Sequence, residues 1–563
     1  MSGTPDAIPR HVDRGEMIKR LRRETFDLVV IGGGITGAWI ARDAVLRGLT
    51  VALVEKGDFA SGTSSRSSRL VHGGLRYLRH RHISLVRESL RERGLLLQLA
   101  PHIVRPIPFL IPVYEGDRDS PLLLRIGLTG YDLLAGSRRI GWHRTRSRTQ
   151  VMKEEPAIRS EGLHSGLFYF DAVTNDSRLT LAVMLGAIES GAAAANYVEA
   201  VSWESAGGRV AGVNCQDSLT GESFTLRARA VAGAAGPWTD ELRAMVGDAP
   251  VLRPTKGIHV VVPRERLRTE SIVAFFWEGR PFFAVPAGRH TYVGTTDTDW
   301  TGDPGEALAT AEDVSSVLAA VNASFETALE MADVTATWAG VRPLIAEEGS
   351  PAPSDVSRDY EILEGPAGVY AICGGKLTSA RSMAQALVDR ISEKERGRLS
   401  GRVGRCRTNR VLLPGATAGF EGYRRQSVHA LQRGSDLTDE VAGHLIGTYG
   451  TRHADILCDA ATDESLLGPV AAGSPVICAE AAYAVANEMA VKLEDFMWRR
   501  SDLMLFGSGV DRAAAARVAG VLGRSLGWDE ARARDEVDAY MREAEGMLSF
   551  RQPVPGVAAA TDK

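Results

Sequence analysis

Three glycines near the start of the chain have the spacing of a phosphate-binding turn. Gly32, Gly34 and Gly37 form a G-x-G-x-x-G sequence, in which the backbone turns sharply, approaches a pyrophosphate and lets a helix pack closely on a strand. The N-terminus of that helix offers unpaired N–H groups to the anion. Glu55 follows about twenty residues later, where a carboxylate accepts hydrogen bonds from a ribose diol and disfavours a 2′-phosphate. The spacing therefore predicts a dinucleotide site.

The elements around these residues have the periodicity of a βαβ unit. The run FDLVVIG is apolar and bounded by glycines, as is typical of a strand buried on both faces of a parallel sheet. Ile35, Trp39, Ala44 and Val45 then recur at helical spacing, and Gly48 ends the helix. A second buried strand, TVALVEKG, follows and carries the carboxylate at its end.

Length and composition describe an ordinary globular protein. A chain of 563 residues is too long to fold around one hydrophobic core, which predicts two or three domains. Hydrophobic residues make up 44% of the chain and charged residues 24%, while the net charge of −4 gives no general attraction to nucleic acid. Five scattered cysteines indicate neither a disulfide framework nor a metal cluster, and they favour a reducing compartment.

The sequence predicts neither a secretion signal nor a transmembrane span. The N-terminal extension, residues 1–24, has no apolar core and carries acidic residues. The longest apolar stretch, LTLAVMLGAIESGAAAA, is interrupted by Glu189 and is typical of a buried helix. These features favour a cytoplasmic protein.

Strand and helix signals alternate up to residue 395 and then change. Residues 271–299 are rich in aromatic and β-branched residues with turn punctuation, which predicts antiparallel strands in a separate sheet that covers the cofactor. A second glycine turn, GVYAICGGKLTS, leads into a long helix, so a second helix N-terminus is predicted to face the dinucleotide. Residues 396–410 form a polar, charged linker, residues 411–551 have helical periodicity, and residues 552–563 are a polar tail.

Motifs spread along most of the chain identify a family. They include VEKGDFASGTSSRSSRLVHGGLRYL, YFDAVTNDSRLTL, AAGPWTD, TKGIHVVVP, VGTTDTD, AGVRPLI, GGKLT and, late in the chain, VANEMAVKLEDFMWRRSDL. On these motifs the protein resembles the FAD-dependent glycerol-3-phosphate dehydrogenase family, aerobic type. The resemblance implies an α/β fold of the D-amino-acid oxidase and glycine oxidase type. A Rossmann-like FAD-binding domain is interleaved with an antiparallel β substrate domain over residues 25–395, and an α-helical C-terminal domain follows.

The resemblance implies oxidation of sn-glycerol 3-phosphate to dihydroxyacetone phosphate by hydride transfer to FAD, while a base removes the hydroxyl proton. Arg342 and Arg358 are the candidate phosphate clamp, because guanidinium groups bind a dianion through several hydrogen bonds. His259 is the candidate base because imidazole titrates near neutral pH. Lys376 is a candidate to stabilise the developing alkoxide or the reduced anionic flavin. The catalytic set is thus His259, Lys376 and Arg342, and the substrate-binding set is Arg76, Tyr77, His259, Arg342, Arg358 and Lys376.

Taken without the resemblance, these residues have other interpretations that stay open. A lone histidine before a strand is more often a structural group than a base. Arg358 also fits a surface salt bridge with Asp355 or Asp359, and Arg342, which precedes a proline, fits a strand-end cap.

The polar, glycine-rich loop after the second strand is suited to lie along a flavin. The resemblance assigns His72 and Gly73 to the part of this loop that covers the flavin. The implied cofactor-binding residues are Gly32, Gly34, Gly37, Glu55, Ser61, Thr63, Ser64, Ser68, Leu70, His72, Gly73, Val198, Gly236, Gly340, Gly375, Lys376, Leu377 and Thr378.

The electron acceptor implied by the resemblance is a quinone in the membrane. A nicotinamide acceptor is not indicated, because no second G-x-G-x-x-G occurs in a βαβ context. Residues 107–148 fit peripheral contact with the inner face of the cell membrane. A helix packed on its own domain, or in a homodimer contact, is an equally good interpretation of this segment. The segment contains apolar Leu122, Leu123, Ile126, Leu133 and Leu134, with Tyr131 and Trp142 suited to an interface and a basic run behind them.

Two other functions remain as alternatives. An oxidase of the same substrate would reoxidise FAD with oxygen and release peroxide. An FAD-containing tRNA-modifying or nucleic-acid-binding protein is disfavoured by the acidic balance and by the lack of aromatic residues interleaved with a basic stripe.

Overall fold

The computed structural model describes residues 12–79, 82–117, 120–346, 359–366, 368–434, 437–461, 463–507 and 511–551. Within these residues the chain forms two large sheets, followed by a C-terminal domain made of helices. The predicted fold class is therefore confirmed.

The described strands, in chain order, are β1 (Thr25–Ile31), β2 (Val51–Val54), β3 (Leu70–Val71), β4 (Val104–Tyr114), β5 (Arg144–Ser147), β6 (Leu163–Thr174), β7 (Ala193–Ala195), β8 (Val198–Ala206), β9 (Arg209–Asp217), β10 (Ser223–Gly233), β11 (Leu252–Pro263), β12 (Ile272–Trp277), β13 (Arg280–Ala287), β14 (His290–Gly294), β15 (Thr298–Asp299), β16 (Ala336–Ile345), β17 (Tyr360–Glu364) and β18 (Val369–Gly374).

The described helices are α1 (Arg14–Arg23), α2 (Ile35–Leu46), α3 (Arg76–Arg79), α4 (Ile83–Leu99), α5 (Pro121–Ala135), α6 (Arg148–Glu154), α7 (Asp176–Glu189), α8 (Thr239–Ala244), α9 (Ala311–Ser324), α10 (Ala380–Lys394), α11 (Phe420–Gly434), α12 (Asp439–Tyr449), α13 (His453–Ala460), α14 (Cys478–Glu488), α15 (Leu503–Phe506), α16 (Arg512–Leu526) and α17 (Glu530–Gly546). A π-helical segment, Asp495–Arg500, precedes α15.

The first sheet is built around the predicted βαβ unit. Its order is β17-β18-β10-β1-β2-β7, with β9 and β8 continuing from β10. β1 pairs in parallel with both β2 and β10, and β10 pairs in parallel with β18. β1 is buried along almost its whole length, because α2, α7 and α10 cover one face of the sheet and α1 with strands β8 and β9 covers the other. α2 packs between α7 and α10. Because α2 directly follows β1, its N-terminus lies at the carboxyl edge of the strands.

The second sheet has the order β15-β11-β14-β13-β12-β4-β6-β3, with β16 paired to β11 and β5 to β6. β11 pairs antiparallel with β14 and β16, and β13 with β12 and β14, as the aromatic and β-branched sequence predicts. Strands β3 and β4 come from the N-terminal third of the chain and β16 from a point after residue 330. The chain therefore passes repeatedly between the two sheets, which places the site between them.

Helices outside the two sheets close the structure at both ends. In the N-terminal extension, α1 buries Ile18 and Leu21 against the first sheet, and Arg14 forms an ion pair with Asp217 at 2.9 Å. The C-terminal domain, α11 to α17, packs against α7 and the loops at the edges of both sheets. Several buried ion pairs cross this boundary, including Arg178–Glu488 at 2.8 Å.

Candidate active site

The glycine turn between β1 and α2 contains two kinds of glycine. Gly32 has φ +111°, and a Cβ there would overlap the carbonyl oxygen of Ala234, while a Cβ on Gly37 would overlap the carbonyl oxygen of Gly32. These two glycines are required by the protein's own backbone. Gly34, the N-cap of α2, has φ −76°, which any residue adopts, and a Cβ there would lie 3.1 Å from Ser64 Oγ. Its small size leaves room at the helix N-terminus, as a bound pyrophosphate requires.

Glu55 lies directly after β2, at the carboxyl edge of the sheet. Its carboxylate accepts hydrogen bonds from the amides of Gly33, at 2.6 Å, and Gly57, at 2.8 Å. Burial raises the pKa of Glu55 above its ordinary value, although these amides oppose the shift. The backbone of Val198, another predicted cofactor residue, donates to the carbonyl of Glu55 at 2.8 Å. The predicted ribose-binding carboxylate is thus held at the end of the turn by backbone amides.

The predicted flavin loop runs from Ser61 to Gly73 and bridges the two sheets. Ser64 Oγ accepts a hydrogen bond from the amide of Ile35, in the first turn of α2, at 2.9 Å. Thr63 Oγ1 donates to the carbonyl of Val341 on β16 at 2.6 Å. A Cβ on the adjacent Gly340 would overlap the carbonyl oxygen of Arg66, so this glycine permits the loop to approach the strand.

A buried polar network that the sequence did not predict supports the end of this loop. The amide of Gly73 donates to the hydroxyl of Tyr131 at 2.8 Å, and that hydroxyl donates to the carboxylate of Asp171. Arg93 donates to the same carboxylate at 2.5 Å. The prediction that Tyr131 lies at an interface is wrong, because its ring is buried beneath Gly73. The only sign of this network in the motifs considered above was Asp171, the first aspartate of YFDAVTND.

The second glycine turn, after β18, brings its predicted residues to the same place. Gly375 has φ +80° and precedes Lys376, whose ammonium lies 3.8 Å from the centre of the Tyr77 ring. Thr378 Oγ1 accepts a hydrogen bond from the amide of His72 at 3.2 Å. Loop and turn are therefore in contact. Of the remaining predicted residues, Leu70 lies in β3, Gly236 follows β10 with φ +54°, and Leu377 begins the turn into α10.

His259 lies on β11, buried against the flavin loop. Its Nε2 is 2.8 Å from Ser68 Oγ, and its ring stacks on Trp338 with 4.6 Å between ring centres and 13° between planes. The imidazole does not keep the ordinary pKa on which its assignment as the base was argued. Burial, together with the charges of Arg342 and Arg69, holds the pKa of His259 well below its ordinary value. Both causes disfavour the protonated ring.

Arg342 lies on β16, opposite Thr255 on β11. Its guanidinium donates to Asp297 Oδ1 at 3.0 Å, to Thr295 Oγ1 at 2.9 Å and to the carbonyl of Thr296 at 3.1 Å. These contacts fix the guanidinium plane. From the sequence, a strand-end cap was an alternative role for Arg342. Its ordered hydrogen-bond partners and the partial burial of its side chain fit an anion site.

Two predicted substrate-binding arginines lie partly or wholly outside the described residues. Arg76 begins α3, but its side chain lies outside the described part of the structure. Arg358 falls in residues 347–358, outside the described residues.

The parallel βαβ unit, its glycine turn and the second sheet carrying His259 and Arg342 define an oxidoreductase that binds a flavin dinucleotide. Residues 27–390 match the FAD dependent oxidoreductase family, and residues 406–533 match the family described as the C-terminal domain of alpha-glycerophosphate oxidase. Glycerol-3-phosphate dehydrogenase 2 of Mycobacterium tuberculosis is 39% identical over 559 residues, which are 98% of this chain and 94% of that protein. The chain belongs to the FAD-dependent glycerol-3-phosphate dehydrogenase family, and its cofactor is FAD.

Other relatives agree with this assignment. Aerobic glycerol-3-phosphate dehydrogenase of Staphylococcus aureus is 37% identical, covering 96% of this chain and 97% of that protein. The solved structure of glycerol-3-phosphate dehydrogenase from Bacillus halodurans, complexed with FAD, superposes with a TM-score of 0.80 at 31% identity over 96% of this chain and 99% of that one. Glycine oxidase from Bacillus cereus shares the fold alone, with a TM-score of 0.50 at 20% identity over 66% of this chain and 98% of its own.

Helix α5 presents an apolar face to solvent. Leu122, Leu123, Ile126 and Leu133 are each more than half exposed, and Trp142, which follows the helix, is 50% exposed. The guanidinium of Arg139 lies over the Trp142 ring at 3.8 Å. No helix among the described residues is long and apolar enough to cross a membrane.

Proposed function

We propose that this protein oxidises sn-glycerol 3-phosphate to dihydroxyacetone phosphate and passes the electrons to a quinone in the membrane. The observation that carries the proposal is the arrangement of Arg342 and His259. The guanidinium lies over Gly257, two residues from His259 on the same face of β11. Two residues of a strand span about 6.7 Å, which a three-carbon phosphate bridges with its phosphate at the arginine and its C2 hydroxyl at the histidine. The relatives, which are glycerol-3-phosphate dehydrogenases by name, support this substrate.

The state of His259 suits a base. FAD, when bound, would supply the acceptor for the hydride that leaves C2. Nε2 lies 2.8 Å from Ser68 Oγ, whereas Nδ1 is buried and has no hydrogen-bond partner among the described residues. With Nε2–H donating to Ser68, Nδ1 is the nitrogen left to accept the hydroxyl proton. A phosphate dianion at Arg342 offsets one of the charges that lower the pKa of His259. Substrate binding therefore strengthens the base.

Lys376, in the glycine turn after β18, supplies a second positive charge. Its ammonium lies 3.8 Å from the centre of the Tyr77 ring, in a cation–π contact. A charge placed there stabilises negative charge that develops on the substrate oxygen as the hydroxyl proton leaves.

The phosphate clamp is tested by Arg342→Ala. The contacts of Arg342 with phosphate are present in both the ground state and the transition state, so we expect KM for glycerol 3-phosphate to rise about 100-fold, ~3 kcal/mol, with kcat little changed. Steady-state kinetics with a soluble dye acceptor measure both constants. Glycerol, which lacks the phosphate, is expected to be an equally poor substrate for both proteins.

The control for this experiment is Arg253→Ala. Arg253 lies on β11 and pairs with Asp299 at 2.8 Å near the exposed end of the same sheet. Removing a cation there is expected to leave KM unchanged. If KM for Arg342→Ala equals that of the wild type, the phosphate is bound by another cation.

The apolar face of α5 supports the membrane and the quinone. One end of the helix exposes Leu122 and Ile126, and the other carries Tyr131, whose hydroxyl holds the amide of Gly73 in the flavin loop. A lipid-soluble acceptor that partitions at this face is thereby brought close to the flavin loop. Exposed arginines near the helix end, including Arg138 and Arg144, are suited to anionic headgroups.

Membrane contact is tested by replacing Leu122 and Ile126 together with Glu. We expect binding to anionic lipid vesicles to be lost in sedimentation, because two apolar contacts become charged. Activity with a soluble dye is expected to remain, while activity with a quinone in the vesicles falls. The control is Phe276→Glu on β12, where the side chain is 55% exposed on another surface. Unchanged vesicle binding with a changed elution volume would instead assign this face to a dimer contact.

Oxygen is the competing acceptor. Reoxidation of the reduced enzyme is compared with a quinone analogue under nitrogen and with oxygen alone, with peroxide measured in the second case. Fast reoxidation by the analogue and slow peroxide release support the dehydrogenase. Peroxide formed at the rate of turnover would make the protein an oxidase.

A further inference from the structure

A short segment of the C-terminal domain reaches into the loops that build the active site. Arg499 and Arg500 form ion pairs with Asp58, three residues after the ribose-binding carboxylate. Asp502 binds Arg69 in the flavin loop, and Phe506 packs between the rings of the second sheet. Residues 499–506 thus join the helical domain to both halves of the site.

The pair formed by Arg69 and Asp502 has the geometry of a specific contact. The two guanidinium NH₂ groups donate to the two carboxylate oxygens of Asp502, each at 2.8 Å. The carboxylate also accepts from Asn175 Nδ2 at 2.6 Å, and Arg69 Nε lies 3.4 Å from Asp176. Arg69 is buried, so its charge depends on these two carboxylates for compensation.

Arg69 stands next to the residue that binds the candidate base. Its backbone has φ +58°, a left-handed conformation that is unfavourable for a residue with a side chain and persists only where its surroundings enforce it. The preceding residue, Ser68, places its Oγ 2.8 Å from His259 Nε2, and the carbonyl of Ser68 accepts a hydrogen bond from Tyr292 at 3.1 Å. The bidentate pair with Asp502 therefore fixes the backbone that aims Ser68 at His259.

The other side of the imidazole is supported from the same segment. His259 stacks on Trp338, and the ring of Phe506 meets Trp338 edge-on with 6.0 Å between centres. The guanidinium of Arg69 lies over the Phe506 ring at 5.1 Å and over the Trp338 ring at 5.8 Å. The contacts of Asp502 and Phe506 thus converge on His259 without either residue touching it.

We propose that Asp502 is a positioning residue for His259, acting through Arg69 and Ser68, so that the C-terminal domain completes the catalytic site. The inference rests on the proposed role of His259 as the base. It assigns to a residue far along the chain the task of keeping one imidazole nitrogen bonded to Ser68 and the other available for the hydroxyl proton.

The test is Asp502→Asn, compared with a matched interdomain variant, Glu488→Gln. Glu488 forms a buried pair with Arg178 across the same domain boundary, and among the described residues neither side chain hydrogen-bonds to the flavin loop. We expect Asp502→Asn to retain FAD and KM while the anaerobic rate of flavin reduction falls by about 10- to 100-fold, because a small misplacement of a catalytic group has effects of this size. Glu488→Gln is expected to lower thermal stability but to reduce its flavin at the wild-type rate.

A double variant shows whether Asp502 acts through His259. If it does, His259→Ala/Asp502→Asn reduces flavin no more slowly than His259→Ala alone. The inference would be overturned if the double variant lost rate by the product of the two single losses. It would also be overturned if Glu488→Gln slowed flavin reduction as much as Asp502→Asn does. A wild-type rate in His259→Ala would overturn the role of His259 and this inference together, whereas a slow His259→Ala beside an unimpaired Asp502→Asn overturns this inference alone.

A second variant and a second measurement cover the case in which Asp502→Asn does not fold. Arg69→Lys keeps the charge but removes the bidentate geometry, and we expect the same slow reduction. In protein labelled with ¹⁵N-histidine, the His259 signal is identified by its absence in His259→Ala. We expect this signal to shift in Arg69→Lys and in Asp502→Asn and to stay in place in Glu488→Gln. An unshifted signal in the variants of the pair would contradict the positioning role.

Discussion

Replacing His259 with alanine is expected to slow reduction of the flavin by glycerol 3-phosphate about 10²- to 10⁴-fold, the usual contribution of a general base. The ring is held by Ser68 and Trp338, so it needs no reorientation before it accepts the proton. Its loss removes an interaction made in the transition state, and kcat is therefore expected to fall more than KM rises. Stopped-flow measurement under anaerobic conditions isolates this step from reoxidation.

The control for His259→Ala is His164→Ala. His164 is an exposed histidine on β6 of the same sheet, and its removal is expected to leave the rate of reduction unchanged. In His259→Ala the rate is expected to recover in part at high pH, because solvent hydroxide then takes the proton. An unaltered rate would show that another residue is the base, with Lys376 the next candidate. An effect on KM alone would show that His259 binds the substrate without acting as the base.

The local part of the fold was accessible from the sequence because it depends on short-range patterns. The turn with Gly32 and Gly37 and the carboxylate after β2 lie where the periodicity predicts them. Each of these features is determined by residues within about one βαβ unit, in which the glycine spacing and the two apolar runs have one compatible arrangement. The interleaving of the two sheets was implied only by the resemblance.

The contacts that control the chemistry were not accessible in this way. Arg69 and Asp502 are 433 residues apart, and nothing in either local sequence indicates the other. The pKa of His259 depends on how deeply the ring is buried and on which cations face it, neither of which has a periodic signal. Tyr131 was assigned to an interface because its helix is amphipathic, but a hydrogen bond to Gly73 places it inside. The sequence predicted the helices and strands, but not the contacts and burial of the individual side chains.

The glycine turn allows the requirements of the fold to be separated from those of the cofactor. Gly34→Val is expected to give a folded protein that purifies without FAD. The backbone at Gly34 is one that valine adopts, and the nearest atom to a new Cβ is the Ser64 hydroxyl at 3.1 Å, the end of a side chain that has only a few tenths of an ångström to move. The branched side chain, however, stands at the N-terminus of α2, where the pyrophosphate must approach the backbone. Flavin absorbance relative to protein measures the loss.

Gly37→Ala is the informative comparison, because its Cβ would overlap the carbonyl oxygen of Gly32 and backbone cannot move aside as a hydroxyl can. We expect Gly37→Ala to lower the thermal midpoint of the protein stripped of FAD, whereas Gly34→Val keeps that midpoint and loses only the increase that added FAD gives the wild type. Gly520→Val, on an exposed turn of α16 where a Cβ meets no neighbouring atom, controls for valine in a helix. A Gly34→Val protein that purifies yellow with full flavin content would show that the pyrophosphate binds elsewhere, because no bound dinucleotide can share the first turn of α2 with a valine side chain.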